Sequence, residues 1–414
     1  MAALPTEIIT EILSRLPVKS LLRFKCVCKS WNSLIKSPNF IKLHLNQTLI
    51  SNSDHHVLRW SECSSLHSAE IDLNLHHNHL YFSELNHPLE TQKLYLFGSC
   101  NGVVCISDPS KNDVFLYNPL TNSHRKLPAD RTTPNLIHEA VLFGFGYDSK
   151  NDDYKVLKIV QGLKFEGSFN NEAKLYSLNN HSWKCVEGIP YYVLYGDRHG
   201  VYFNEVIHFM VNYMESDSKS CKFIASFDLR TESFELMDFP SYDDKLRNPL
   251  EYLELYLKQL GGCLCLVVNY DTDNYAHMFP PGVELGNQIL YRTDLWVMKE
   301  FGNKESWVKL FSICEMNIIQ SCLCLRPVVY SKDGRRILME KDYSEFAWYD
   351  LESKEVTETV SHGLPNKFFD AGFFVGSLVL LQDKQHLKRE SLPVKSKRSN
   401  DSDNFLSAGF KLKL

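Results

Sequence analysis

The stretch Val114-Phe115-Leu116-Tyr117-Asn118-Pro119-Leu120-Thr121-Asn122-Ser123-His124-Arg125-Lys126-Leu127-Pro128 decides the fold. An apolar run ends on an aromatic residue, a turn of Asn, Pro and Thr follows, and a second run closes on proline. Such punctuation predicts a hairpin of two short strands. The pattern recurs from Lys174 to Pro190 with Trp183, and from Ile224 to Pro240 with Phe227-Asp228-Leu229 and Thr231. It returns from Asp294 to Phe311 with Trp296 and Trp307, and from Phe346 to Val360 with Trp348-Tyr349-Asp350-Leu351. Taking Tyr117, Tyr176, Phe227, Trp296 and Tyr349 as equivalent points, the spacings are 59, 51, 69 and 53 residues.

Between the hairpins lie further strand candidates: Gly102 to Ile106, Tyr154 to Val160, Val206 to Val211, Cys263 to Val268, Pro327 to Tyr330 and Arg336 to Glu340. Each repeat therefore holds material for four antiparallel strands, and repeats of this length with four strands predict a β-propeller. Spread over residues 46–382, the period gives about six blades. A pair of β-sandwiches with coincidentally spaced hairpins is the alternative. Residues 46–95 are polar and rich in histidine and fit neither pattern cleanly; we expect one divergent blade there.

A chain of 414 residues exceeds one small domain, and 44% hydrophobic, 12% aromatic and 23% charged residues describe an ordinary globular composition. The formal charge of -5 hides a division. Residues 1–45 carry seven Lys/Arg against two acids, residues 383–414 eight against four, and the centre 30 against 44. So acidic a body argues against nucleic acid, whose phosphates need a basic surface. The longest weakly polar run, Ala371 to Leu381, is too short for a membrane helix, and Glu7, Glu11 and Arg15 interrupt any signal-like start. We expect an intracellular chain without membrane insertion, located in cytoplasm and nucleus.

The first residues read differently from the rest. Ile8, Ile12 and Leu16 recur every fourth position with Ile9 and Leu13 beside them, an amphipathic helix. Pro5 suits its first turn and Glu7 its positive end, and Pro17 stops it. Leu21, Leu22, Phe24, Val27, Cys28, Trp31, Leu34 and Ile35 continue at helical spacing to Pro38, predicting two further short helices. Three helices in about 42 residues bury too little surface to stand alone. Their apolar stripe serves either a partner or a cap packed on the body.

The residues Leu4-Pro5, Glu7-Ile8, Ile12-Leu13, Arg15-Leu16-Pro17, Ser20-Leu21, Arg23-Phe24, Val27-Cys28-Lys29, Trp31, Leu34-Ile35 and Pro38 resemble an F-box. Membership would imply three helices that dock on a Skp-type adaptor and, through it, on the cullin and RING subunits of a ubiquitin ligase. Carried over by position, Leu4, Pro5, Ile8, Ile12, Leu16, Pro17 and Leu21 would form much of the contact, with Val27 and Trp31 as anchors. Ile9, Leu13 and Leu22 are candidates for the unit's own core.

The body is similar to the F-box-associated domain of the plant family often labelled F-box/kelch-repeat. The likeness rests on Gly98-Ser99-Cys100-Asn101-Gly102, Tyr117-Asn118-Pro119, Gly144-Phe145-Gly146-Tyr147-Asp148, Asp153-Tyr154-Lys155-Val156, Gly262-Cys263-Leu264-Cys265-Leu266, Trp296 to Glu300, Ser306-Trp307 and Tyr330-Ser331-Lys332. Kelch blades each carry a double glycine, whereas Gly261-Gly262 is the one such pair in this chain. The ending Asn404 to Leu414 resembles members that restrain immune-receptor levels, which would make an immune receptor the protein substrate. The expected class is thus α+β multidomain: a short three-helix F-box over residues 1–45, an all-β propeller of about six blades over 46–382, and a polar linker with a C-terminal strand over 383–414.

Chemistry-bearing patterns are sparse. Cys263/Cys265 and Cys322/Cys324 are spaced for one face of a strand, and no Cys-x-x-Cys pair exists. His76, His77 and His79 lack a neighbouring cysteine pair and read as solvated, so no metal is expected. No nucleophile elbow, phosphate loop or dinucleotide glycine pattern occurs. We expect a non-enzymatic adaptor without cofactor; a glycan- or protein-binding propeller with a helical cap is the alternative. Phe410, Leu412 and Leu414 alternate with lysines, as a strand covering a propeller edge would.

Overall fold

The computed structural model describes residues 4–60, 65–74, 78–89, 94–108, 113–130, 137–165, 169–189, 191–193, 199–214, 220–240, 252–271, 292–314, 324–363 and 369–381. The expected linker and strand beyond residue 382 lie outside them.

Four helices open the chain: α1 (Thr6–Ser14), α2 (Val18–Phe24), α3 (Lys29–Lys36) and α4 (Pro38–Ser51). The expectation of three missed α4, because Pro38 was read as a stop. Proline at the first helical position loses no bond, and the Ser37 hydroxyl accepts the Phe40 amide at 3.2 Å, so Ser37-Pro38 starts a helix. A left-handed Asn52 closes it, and the propeller begins three residues later at His55. The boundary expected after residue 45 falls within α4.

Six sheets follow, each a blade. Blade 2 pairs Tyr95–Cys100, Val103–Asp108, Asp113–Asn118 and Ser123–Lys126 in chain order. Blade 3 does the same with Ile137–Asp148, Asp153–Leu163, Phe169–Ser177 and Ser182–Val186. In blade 4 the short segments Tyr192–Val193 and Val201–Phe203 share one edge of Val206–Met214, followed by Ser220–Asp228 and Ser233–Asp238. Blade 5 is Tyr252–Leu260, Cys263–Asp271, Arg292–Met298 and Trp307–Cys314; blade 6 is Leu325–Tyr330, Arg336–Lys341, Glu345–Asp350 and Val356–His362.

Blade 1 is composite and explains why residues 46–95 resisted a simple reading. His55–Trp60, Leu66–Ile71 and Ser83–Glu84 come from the start of the body, while the first strand, Asp370–Val375, comes from its end. That strand lies beside the first strands of blades 2 and 6, and so closes the ring. The link between the third and fourth strands of blade 1 contains His79–Tyr81, which crosses to pair in parallel with the outer strand of blade 6.

The five aromatic residues that mark the repeat share one role. Tyr117, Tyr176, Phe227, Trp296 and Tyr349 each sit in the third strand of a blade and face the preceding blade, one in each of five successive interblade cores. A sixth core joins blades 6 and 1. The residue after the aromatic then builds the turn: Asn118, Asp228 and Asp350 each accept amides two and three positions on through a side-chain oxygen. Turn chemistry and interblade packing thus recur together, and radial packing buries the faces that a single blade would expose.

Candidate functional site

The helices form a small core of Leu13, Val18, Leu21, Ile35 and Phe40, joined by Leu378 from beyond the last blade strand. Ile9, Leu16, Leu22, Phe24, Trp31 and Leu34 pack around it. Helix α1 divides its stripe accordingly. Ile9 and Leu13 turn inward, whereas Leu4, Ile8 and Ile12, spaced by four, are 61%, 48% and 51% exposed. Val27, between α2 and α3, is 60% exposed, and Pro5 and Pro17 are also exposed. Leu16 is half-buried. So is Trp31, which lies 5.6 Å from the Phe24 ring and serves partly as core.

Leu21 corrects the expectation of a contact residue. It is wholly buried in the helices' own core and presents no surface. Leu13 and Leu22 lie where the core reading put them, Ile9 at its edge. Charged residues are exposed on the same helices: Glu7 and Glu11 on α1, Arg23 on α2, and Lys29 and Lys36 on α3.

Sequence reading missed how this face is held. Residues 376–381 leave the closing strand and run along blade 2 toward the helices. Asn118 donates through Nδ2 to the carbonyls of Ser377 at 3.0 Å and Val379 at 2.9 Å, while the Leu381 amide donates to the Ser123 hydroxyl at 2.8 Å. Leu378 thereby enters the helical core. Asp54 supplies a second joint: its carboxylate accepts the Val18 amide at 2.9 Å and lies 3.2 Å from His56 Nε2, and its carbonyl accepts the Gly376 amide at 2.7 Å. Burial opposes the Asp54 charge, yet the His56 and Val18 hydrogen bonds outweigh it and hold the carboxyl below its ordinary range. His44, also buried, donates from Nε2 to the Leu16 carbonyl at 2.8 Å. The one available signal was the apolar run Ala371 to Leu381, longer than a single inner strand requires.

These contacts fix which end of the propeller the helices occupy. In an antiparallel four-stranded blade, the first and third turns lie at one end, the second turn and the link to the next blade at the other. The helices touch the first end: Gly102 lies against Ser377, Asn118 to Ser123 hold the strap, and Lys42 pairs with Asp152 at 2.5 Å.

Among the described residues, no group of three or more His, Cys, Asp and Glu is placed to hold a metal. The free thiols Cys100, Cys105, Cys265 and Cys324 are buried, and burial pushes Cys100 up to about 12. Cys265 lies on the buried strand face as expected, while Cys322 is outside the described residues. No helix is long and apolar enough to cross a membrane among the described residues.

Residues 1–43 match the family described as F-box domain, and residues 56–361 match that described as F-box associated beta propeller domain. The chain belongs to the F-box proteins with an F-box-associated propeller. Similar relatives from Arabidopsis thaliana include F-box protein CPR1, 31% identical with 100% of both chains covered. F-box protein At4g22390 is 30% identical over 100% of both, and F-box/kelch-repeat protein At3g23880 is 31% identical over 81% of this chain and 85% of that one. Among solved structures, YCF48 bound to D1 peptide reaches a TM-score of 0.36 at 10% identity over 74% of this chain and 78% of that one, too low to carry an argument. An F-box joined to a propeller gives this protein a general role in substrate recognition for a Skp-cullin-F-box ligase.

Proposed function

We propose that the protein docks on a Skp-type adaptor through Leu4, Pro5, Ile8, Ile12, Pro17 and Val27, with Leu16 and Trp31 at the margin, and presents a protein for ubiquitination. The observation that carries the reading is the divided stripe of α1. A purely structural cap would bury its apolar face, but here Ile9 and Leu13 turn into the helical core while Leu4, Ile8 and Ile12 stay open. A few apolar anchors inside a charged rim are what a helix-in-groove contact uses. Chemistry then belongs to the E2 and RING subunits, and this chain contributes effective concentration.

We assign the target to the propeller end away from the helices, because binding residues concentrate in loops on a rigid scaffold. We take the target class to be an immune receptor on the resemblance of the chain's ending, acting in cytoplasm and nucleus.

Co-purification with a Skp-type adaptor tests the reading. Ile8→Ala with Ile12→Ala should abolish capture, while Leu380→Ala should leave it intact. If the wild-type chain captures no adaptor, or the double variant captures it as well as wild type, docking through these residues is wrong.

A further inference from the structure

The core between blades 3 and 4 runs out to the surface at one end. On the face of blade 3 turned to blade 4, Leu157 lies opposite Leu175 and Ile159 opposite Ala173, and all four are buried. One step further along the same face Gln161 lies opposite Asn171, and beyond them Leu163 lies opposite Phe169. Leu163 and Phe169 carry the column to the second turn of blade 3, at the propeller end away from the helices. Phe169 is half-buried, Leu163 is exposed, and Phe165 in the turn is 72% exposed. Tyr192, on the first strand of blade 4, is also exposed, and its ring stands 6.0 Å from that of Phe169. Together these side chains form an aromatic rim over the seam of the two blades.

The rim is held from beneath. Gln161 is fully buried; its Nε2 donates to the Val193 carbonyl at 2.8 Å and its Oε1 accepts the Val193 amide at 2.9 Å, which fixes the segment bearing Tyr192. Asn171, facing Gln161, has no such employment. Its Nδ2 and Oδ1 are both covered, and neither has a hydrogen-bond partner among the described residues, a costly state for a carboxamide one residue pair below the surface. An unused donor and acceptor on one side chain match a peptide unit, which offers one of each. The surroundings are acidic. Glu172 follows Asn171, and Glu187 precedes Gly188, where an added Cβ would stand 2.7 Å from the Asn171 carbonyl oxygen. Both carboxylates are exposed, with Lys164, between Leu163 and Phe165, as the opposing cation.

Rigidly held aromatic side chains are the usual anchors of protein recognition, and two carboxylates beside them repel phosphates and attract a basic residue. We propose that this rim receives an extended segment of the target protein. A bulky apolar side chain of the segment seats against Phe165, Phe169 and Tyr192 and parts the rim, its backbone amide and carbonyl then meet Asn171, and a neighbouring lysine or arginine faces Glu172 and Glu187. The segment must be extended, because in a helix those backbone groups are bonded internally. This rests on the reading that the far end of the propeller takes the target, and adds the blades and the chemistry.

A phage library of random twelve-residue peptides, panned on the full-length chain without adaptor, tests the site. Enriched peptides should pair an aromatic or large aliphatic residue with a nearby Lys or Arg. A synthetic copy of the most enriched peptide should bind wild type and be weakened at least about tenfold by Phe165→Asp and by Asn171→Leu, as loss of an interface anchor is. Leu236→Asp, at an exposed apolar position on the outer strand of blade 4, should bind it as wild type does. Panning on the variant with Glu172→Lys and Glu187→Lys, both at exposed positions that leave the fold intact, should lose the basic preference. No enrichment, enrichment of acidic peptides, or binding indifferent to Phe165→Asp would overturn the site. Dimerisation of wild type that Phe165→Asp abolishes in sedimentation would also overturn it, by giving the rim to a second copy. Adaptor capture is a separate measurement, so failure of docking through the helices and failure of this rim are told apart.

Discussion

Replacing Leu378 by alanine should loosen the N-terminal helices although the residue lies at the far end of the described chain. Leu378 is 1% exposed among Leu13, Val18, Leu21, Ile35 and Phe40, and truncating such a leucine costs about 2–5 kcal/mol in transfer and cavity terms. A middle value of about 3 kcal/mol corresponds to about two powers of ten in an opening equilibrium. Hydrogen exchange resolves where that energy is lost, because the helices can open without the propeller. Amides of α1 to α3 in Leu378→Ala should exchange about a hundredfold faster than in wild type, while those of blades 3 to 5 keep their rates. Leu380, two positions on and 38% exposed, gives the matched control, with a cost under about 1 kcal/mol. Unchanged helix exchange in Leu378→Ala, equal acceleration in Leu380→Ala, or uniform acceleration of all blades would refute the shared core.

Three more outcomes are expected. Burial lowers the imidazoles of His55 and His208 to about 4, so below the ordinary histidine value of about 6.5 the unfolded chain binds protons that the folded chain refuses, and stability falls as pH drops from 6.5 toward 4. Each contributes a loss of about 2 kcal/mol at pH 5, and a denaturation midpoint flat between pH 7.5 and 5 would contradict this. Arg326 of blade 6 is buried against Glu340 and reaches Asp370 of the closing strand at 2.9 Å, so Arg326→Met should cost about 3–5 kcal/mol by stranding Glu340, with Glu340→Met recovering most of it in urea titrations. Gly376→Ala would set a Cβ 2.0 Å from the Asp54 carboxylate, and should cost about 1–3 kcal/mol, read as earlier proteolysis of the helices; cleavage at the wild-type rate would sink the reasoning.

The contrast between what the sequence revealed and what it hid is physical. Tyr117, Tyr176, Phe227 and Tyr349 were visible because interblade packing and the turn that follows are encoded within a dozen neighbouring residues. Blade 1 was obscure because its first strand pairs His55 with Val375, a contact between opposite ends of the body that no local period records. Within the helices, spacing by four identified the apolar stripe but could not apportion it. Leu21 and Ile8 occupy similar positions on their stripes, yet one is enclosed and the other open, since that depends on where α4 and Leu378 pack.

The same long-range pairing bears on how the ligase role is performed. Between the end of α4 at Ser51 and the first blade strand at His55 there is no room for a flexible tether, and Asp54 in that interval is bonded to both Val18 and Gly376. Leu378 and Leu120 extend the helical core into the strap and blade 2. Flexible linkage would spread a captured target over a volume set by linker length, diluting it at the ligase. A helical unit whose core includes propeller residues instead holds the exposed stripe of α1 and the propeller in one orientation. The acidic propeller and its basic helices are on this view a single lever, and the residues that make it rigid are Asp54, Asn118, Gly376 and Leu378.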